Sequence, residues 1–180
     1  MQPGTYELGP TDGTLSVQTG KSGAASKAGH NLLIRVDRWG ATVSLADDPA
    51  QTVLELTADS TSFTVLDGTG GVKALGDDDK EGIAQTINQE VLKGTPISFR
   101  STAVRPDGDG RLHVTGDLEL LGGVNLIAFD VEISDEGRLT GTATVKQTEW
   151  GMKPYSALFG TLKVSDEVQV SVDGQLSAAG

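Results

Sequence analysis

Cysteine is absent from the 180 residues. No disulfide framework, thiolate metal site, redox pair or cysteine nucleophile can therefore exist, and packing and hydrogen bonds alone must hold the fold. Basic residues are scarce: Lys and Arg number 14 against 25 Asp and Glu, giving a formal net charge of −11. That field opposes binding to a phosphate backbone or an anionic bilayer unless a local basic patch overrides it, and the sequence displays none. A nucleic-acid partner is not expected. Long hydrophobic runs are also missing. Nothing approaches the roughly 18 consecutive apolar residues that cross a bilayer, so stable membrane insertion is not expected. Met1-Gln2-Pro3-Gly4 has neither the basic start nor the apolar stretch of a leader, and the chain reads as soluble and cytoplasmic. There are two histidines, His30 and His113, neither with a carboxylate or second histidine at ligand spacing. No metal and no cofactor is expected.

What the chain has in abundance is alternation. In Arg111 to Leu120 the residues Leu112, Val114, Leu118 and Leu120 are apolar, while Arg111, His113, Thr115, Asp117 and Glu119 are not. The pattern returns in Ile127, Phe129, Val131 and Ile133, in Leu139, Ala143 and Val145, and in Leu162, Val164, Val168, Val170 and Val172. A period of two with one dry face is the mark of a half-buried β-strand. Turn signals such as Asp47-Asp48-Pro49, Asp67-Gly68, Asp107-Gly108-Asp109-Gly110, Asp135-Glu136-Gly137 and Asp173-Gly174 separate the runs. Strands are expected near 5–8, 14–19, 31–38, 41–46, 52–58, 62–66, 97–104, 111–120, 125–133, 139–147 and 160–172, some merging across bulges. The exception is 78–93. There Ile83, Ile87 and Val91 recur at helical spacing behind a D-x-x-E start at Asp78, predicting one short amphipathic helix that closes an end of the barrel. The chain is all-β and forms one domain over residues 1–180.

The local pieces stand in a recognisable order. Tyr6-Glu7-Leu8-Gly9-Pro10, Gly29-His30, Ile97-Ser98-Phe99-Arg100-Ser101-Thr102, Gly116-Asp117-Leu118-Glu119-Leu120-Leu121-Gly122, Gln147-Thr148-Glu149-Trp150-Gly151 and Asp166-Glu167-Val168-Gln169-Val170 resemble the successive blocks of the YceI-like family. The resemblance implies an eight-stranded antiparallel, lipocalin-like β-barrel whose pore holds a long-chain isoprenoid or similar amphiphilic lipid. Where the family commonly carries basic residues this chain has Gln147 and Leu121, so the resemblance points to the isoprenoid tail more than to a phosphate head.

The residues best placed to line such a pore are the aromatics Phe63, Phe99, Phe129, Trp150, Tyr155 and Phe159, with aliphatic Ile34, Leu118 and Leu120 beside them; filling of the barrel is the competing role. Trp150 and Phe99 are expected on the apolar tail and Tyr155 near the mouth. The stretch 147–160 is a lid or, equally, a corner plug. Gln147 shares the parity of Val145, so its amide points inward, to a ligand head or a backbone group. The glycine-rich Asp67 to Lys73 lacks the ending of a phosphate loop and reads as a turn. Asp77-Asp78-Asp79 reads as a solvated helix start, His30 as bonded to backbone in a turn, and Asp166 as the carboxylate of a tight turn or bulge.

Three classes of function fit these residues. The first is a carrier or reservoir for a hydrophobic ligand. The second is a lipid-modifying barrel enzyme of isomerase or cyclase type, needing two of His30, Asp166 and Tyr155 within hydrogen-bond reach inside the cavity. The third is a non-binding structural or interaction barrel, marked by a filled interior and an exposed apolar patch. Homodimer formation stays open.

Overall fold

The computed structural model describes residues 1–157 and 162–179. Among them one antiparallel sheet contains thirteen strands: β1 (Gly4–Leu8), β2 (Gly13–Ser22), β3 (Asn31–Val36), β4 (Trp39–Leu45), β5 (Val53–Ala58), β6 (Phe63–Thr69), β7 (Ile97–Pro106), β8 (Arg111–Leu120), β9 (Gly123–Ile133), β10 (Arg138–Lys146), β11 (Ser156–Ala157), β12 (Leu162–Gln175) and β13 (Ser177–Ala178). Neighbours follow the order β13, β1, β4, β5, β7, β8, β9, β10, β12, β2, β3, β6, with β11 on the side of β12. The fold is all-β with one short helix, as the alternation requires.

The expected eight strands in a closed ring are corrected. The sheet is curled, but it is built from more and shorter strands, and among the described residues its pairing has two ends, at β13 and at β6. Three corners are the cause. Gly9-Pro10-Thr11-Asp12 separates β1 from β2, Asp37-Arg38 separates β3 from β4, and Asp59–Ser62 separates β5 from β6. Each corner changes the neighbours: β3 lies between β2 and β6, whereas β4 lies between β1 and β5.

The third corner is tied by one carboxylate. Asp59 accepts the Thr61 amide at 2.8 Å and hydroxyl at 2.6 Å, and Arg38 Nε at 2.9 Å. Those bonds, with the Thr61 hydroxyl first, hold its pKa at about 2, below the ordinary 3.8. A depressed carboxylate stabilises the fold above its unfolded pKa, and the contribution vanishes as pH falls through the folded value. Asp59→Asn is therefore expected to lower the melting temperature at pH 7 but to match the wild type below about pH 2, as thermal melts across pH would show.

The helix α1 (Asp77–Thr86) continues into a single π turn at Ile87–Val91. Its cap is Gly76, whose N–H donates to Asp79 Oδ2 at 3.0 Å, so the cap lies two residues earlier than the D-x-x-E pattern at Asp78 suggested. The helix packs on β6, the strand at one end of the sheet's pairing order, and covers its free edge. Asn88 completes that edge like a missing strand: its Nδ2 donates to Phe63 O and its Oδ1 accepts from Phe63 N, both at 3.2 Å. An edge left bare would expose backbone groups that must find partners.

The inward residues form two zones. At the end carrying the β1–β2 corner, Leu8, Leu15, Val43, Leu112, Val114, Val131, Ile133, Leu139 and Leu176 are buried in a continuous core. Toward the other end, Val17, Ile127, Phe129, Val168, Val170 and Val172 face inward yet stay only partly buried. Between the zones lies Gly116, where a Cβ would stand 2.4 Å from Arg100 O and 2.5 Å from Phe99 Cζ. The missing side chain lets the Phe99 ring lie against β8, with its centroid 5.2 Å from that of Phe129. Gly116→Ala should cost about 1–3 kcal/mol through displaced backbone and ring, read from the urea midpoint.

Candidate functional site

The half-buried inward residues surround a cavity of about 870 Å³. That is within the usual range for pockets that take small molecules. Its floor is the packed core below Leu15, Phe99, Gly141 and Val172, and its wall is supplied by β2, β3, β5–β10 and β12 together with α1. Ile83, Ile87 and Val91 on the helix contribute an apolar stripe to that wall, which explains their spacing in the sequence. From Leu15 to Lys21 along β2 the wall rises about 20 Å at ~3.3 Å per residue.

Along the strands the inward row turns from aliphatic at the floor to polar at the rim. On β2 it reads Leu15, Val17, Thr19, Lys21; on β3, Val36, Ile34, Leu32, then His30; on β10, Gly141, Ala143, Val145, then Gln147. Tyr155, Lys73, Lys163, Asp78 and Asp79 complete the rim. The side-chain period of two makes each row a direct consequence of the sequence alternation.

Eight of the ten residues expected on the pore lie on the cavity wall: Ile34, Phe63, Phe99, Leu118, Leu120, Phe129, Gln147 and Tyr155. Tyr155, 52% exposed, is at the mouth. Phe159 lies outside the described residues. Trp150 departs from expectation. It is buried, its Nε1 donates to Leu118 O at 3.0 Å, and it is not on the cavity wall. The reason is a split in the sheet: β9 and β10 pair only between Ile133/Leu139 and Asp130/Thr142, and the turn Gln147–Trp150 bridges the parting strands. Asn125 Nδ2 on β9 donates to Glu149 O at 2.8 Å. Of the two readings of this stretch, Trp150 follows the corner plug.

The other polar groups are held by local bonds. Gln147 is buried and donates from Nε2 to Ser165 O at 2.8 Å. His30 Nε2 pairs with Lys73 O at 2.7 Å. Asp166 sits at the irregularity in β12, where its carboxylate accepts the Thr148 hydroxyl at 2.6 Å and amide at 2.8 Å, and these bonds keep it below the usual carboxylate range. None of His30, Asp166 and Tyr155 is hydrogen-bonded to another among the described residues.

A family model describing the YceI-like domain matches residues 6–176. The chain belongs to the YceI-like family. The match spans both the packed floor and the open half of this YceI-like barrel. Among solved structures it is similar to BcnA of Burkholderia cenocepacia, with a TM-score of 0.67 and 17% identity over 92% of this chain and 96% of that one. It is also similar to the YCEI protein of Campylobacter jejuni, with a TM-score of 0.57 and 12% identity over 82% and 84% of the two chains. At these identities the likeness is one of fold. No curated protein matches the chain.

Aromatic content was a poor guide to the rest of the wall. Val17, Ala143, Val168, Val170, Val172 and Met152 line the cavity; Ala143 and the three valines of β12 lie on runs whose parity was already visible, and Val17 on the strand expected near 14–19. Lys21 sits at the end of the β2 row, where extending the parity would have reached it, whereas Lys163 has the opposite parity to the β12 row and lies exposed at the rim.

Proposed function

We propose that this YceI-like barrel binds and carries a single long-chain hydrophobic ligand of polyisoprenoid type, tail down in the cavity. The observation that carries the reading is the change, within one sheet, from a packed floor to an apolar wall around an open cavity, on which the valines of β2 and β12 stay partly exposed. A barrel whose only task was structural would bury those valines completely. Each five-carbon unit moved from water onto this wall gains on the order of 3–4 kcal/mol at about 0.8 per carbon, before conformational losses. A few units thus suffice for tight binding without any specific polar contact. The third class of function retains one of its two marks: Val124 and Leu126 on the outer face of β9 are 59% and 61% exposed, but the interior is not filled.

Native mass spectrometry of the purified protein, followed by organic extraction, tests the reading. A bound long-chain species, or saturable uptake of farnesol or geranylgeraniol at one equivalent, is the expected result. Absence of both would overturn it.

A further inference from the structure

We infer that the ligand has an anionic head, a carboxylate or a phosphate monoester, and that Lys21 is the residue that selects it. The inference rests on the tail-binding reading above and adds the chemistry of the other end. Lys21 closes the inward row of β2 at the cavity rim and is partly buried there. Its Nζ donates to Gly29 O at 2.7 Å. One neutral carbonyl satisfies one of the three protons of an ammonium and none of its charge.

The surroundings make this unusual. The protein carries 25 acidic residues against 14 basic ones, so a carboxylate partner is easy to supply. The ion pairs among the described residues use Arg35, Arg38, Arg100, Arg138 and His113, none of them on the cavity wall. Lys21, Lys73 and Lys163, the three lysines of the rim, take no carboxylate partner among the described residues. Two acids share the rim: Asp79 is engaged by the Gly76 amide, and Asp78 stands exposed at the helix start. Neither lies within ion-pair distance of Lys21.

The rim is also shaped around this ammonium. A Cβ on Gly70 would lie 2.5 Å from Lys21 Nζ, and one on Gly71 would lie 2.4 Å from His30 Nε2. Both glycines have positive φ, +78° and +80°. The glycine-rich segment that reads as a plain turn in the sequence is thus folded closely over Lys21 and His30. It holds the ammonium against the wall above the apolar row, where a head group following its tail out of the cavity meets it. A charge-assisted bond at such a partly desolvated site is roughly twice as strong as a neutral one.

The test uses three ligands of one chain length, tetradecanoate, tetradecyl phosphate and tetradecanol, each displacing the neutral dye Nile red from the full chain. The wild type should prefer one or both anions to the alcohol by about tenfold or more, and which anion is preferred identifies the head. In Lys21→Met the preference should fall to about twofold or less, and Lys21→Arg should restore it. Lys146→Met, with the same loss of charge on the exposed face of β10 and off the cavity wall, should keep it. If Lys21→Met does not fold, Lys21→Gln, which retains a donor for Gly29 O, replaces it. An alcohol that binds as tightly as both anions, or a preference that survives at Lys21→Met, overturns the inference while tail binding stands. Failure of all three ligands to displace the dye overturns the tail-binding reading itself.

Discussion

Val170→Asp should abolish tail binding, weakening it by about a thousandfold or more. Val170 is in the middle of β12, opposite Ala143 on β10 and Val17 on β2, and all three line the cavity. A bound hydrocarbon would strip an aspartate there of its water and offer no partner. Such burial costs several kcal/mol, and each ~1.4 kcal/mol is a factor of ten in affinity. Without ligand the side chain at this position is only half-buried, so the carboxylate keeps much of its hydration and the fold survives. Gln169→Asp supplies the control: it adds the same charge to the neighbouring residue on the exposed face and should leave affinity unchanged. Dye displacement and a urea melt on both variants check the pair. Equal affinity of the two variants for a long isoprenoid would show that the tail does not pass Val170.

Trp150→Ala should cost about 3–5 kcal/mol of stability, among the largest effects of any single truncation here. The indole is buried, and it fixes the turn Gln147–Trp150 to β8 through its bond to Leu118 O. Trp150→Phe separates the two contributions. It keeps most of the packing and removes the N–H, leaving a buried carbonyl short of a donor at about 1–3 kcal/mol. Urea midpoints of both variants, compared with the wild type, measure this. A loss below about 1 kcal/mol in Trp150→Ala would mean that the turn is held by Asp166 and Asn125 alone.

The contrast between these residues shows what the sequence can and cannot disclose. Val170 was visible as a member of an alternating run, because side-chain parity is a local property of the strand. The same parity located Gln147 inside and the strand runs of β1 to β10. Trp150 was not readable in this way. Its placement depends on β9 and β10 parting beyond Asp130/Thr142, a non-local event to which no residue near Trp150 testifies. The strand count failed for a related reason. The corners at Gly9 to Asp12 and near Asp59 to Ser62 fall at expected breaks, whereas Asp37-Arg38 falls at the end of the single strand expected over 31–38; which neighbour each strand takes up beyond a corner is decided by sheet curvature. Asn88 illustrates a third kind of silence. A polar residue one position after Ile87 looks like a solvated helix face, and only the bare edge of β6 turns its amide into a surrogate strand.

The split between β9 and β10 has a mechanical consequence. In an intact ladder the girth of a barrel is fixed by strand number and stagger, and widening it means breaking hydrogen bonds between strands. Here two adjacent staves already diverge, hinged at Asp130 and Thr142 and spanned at the top by a turn pegged through Trp150 and Asn125. Parting the strands further would spare both flanking ladders but would have to break the Trp150 bond to Leu118 O and the Asn125 bond to Glu149 O. The width of the cavity at this seam is thus set by the Gln147–Trp150 turn and its two pegs, and its depth by the packed floor beneath Phe99 and Leu15.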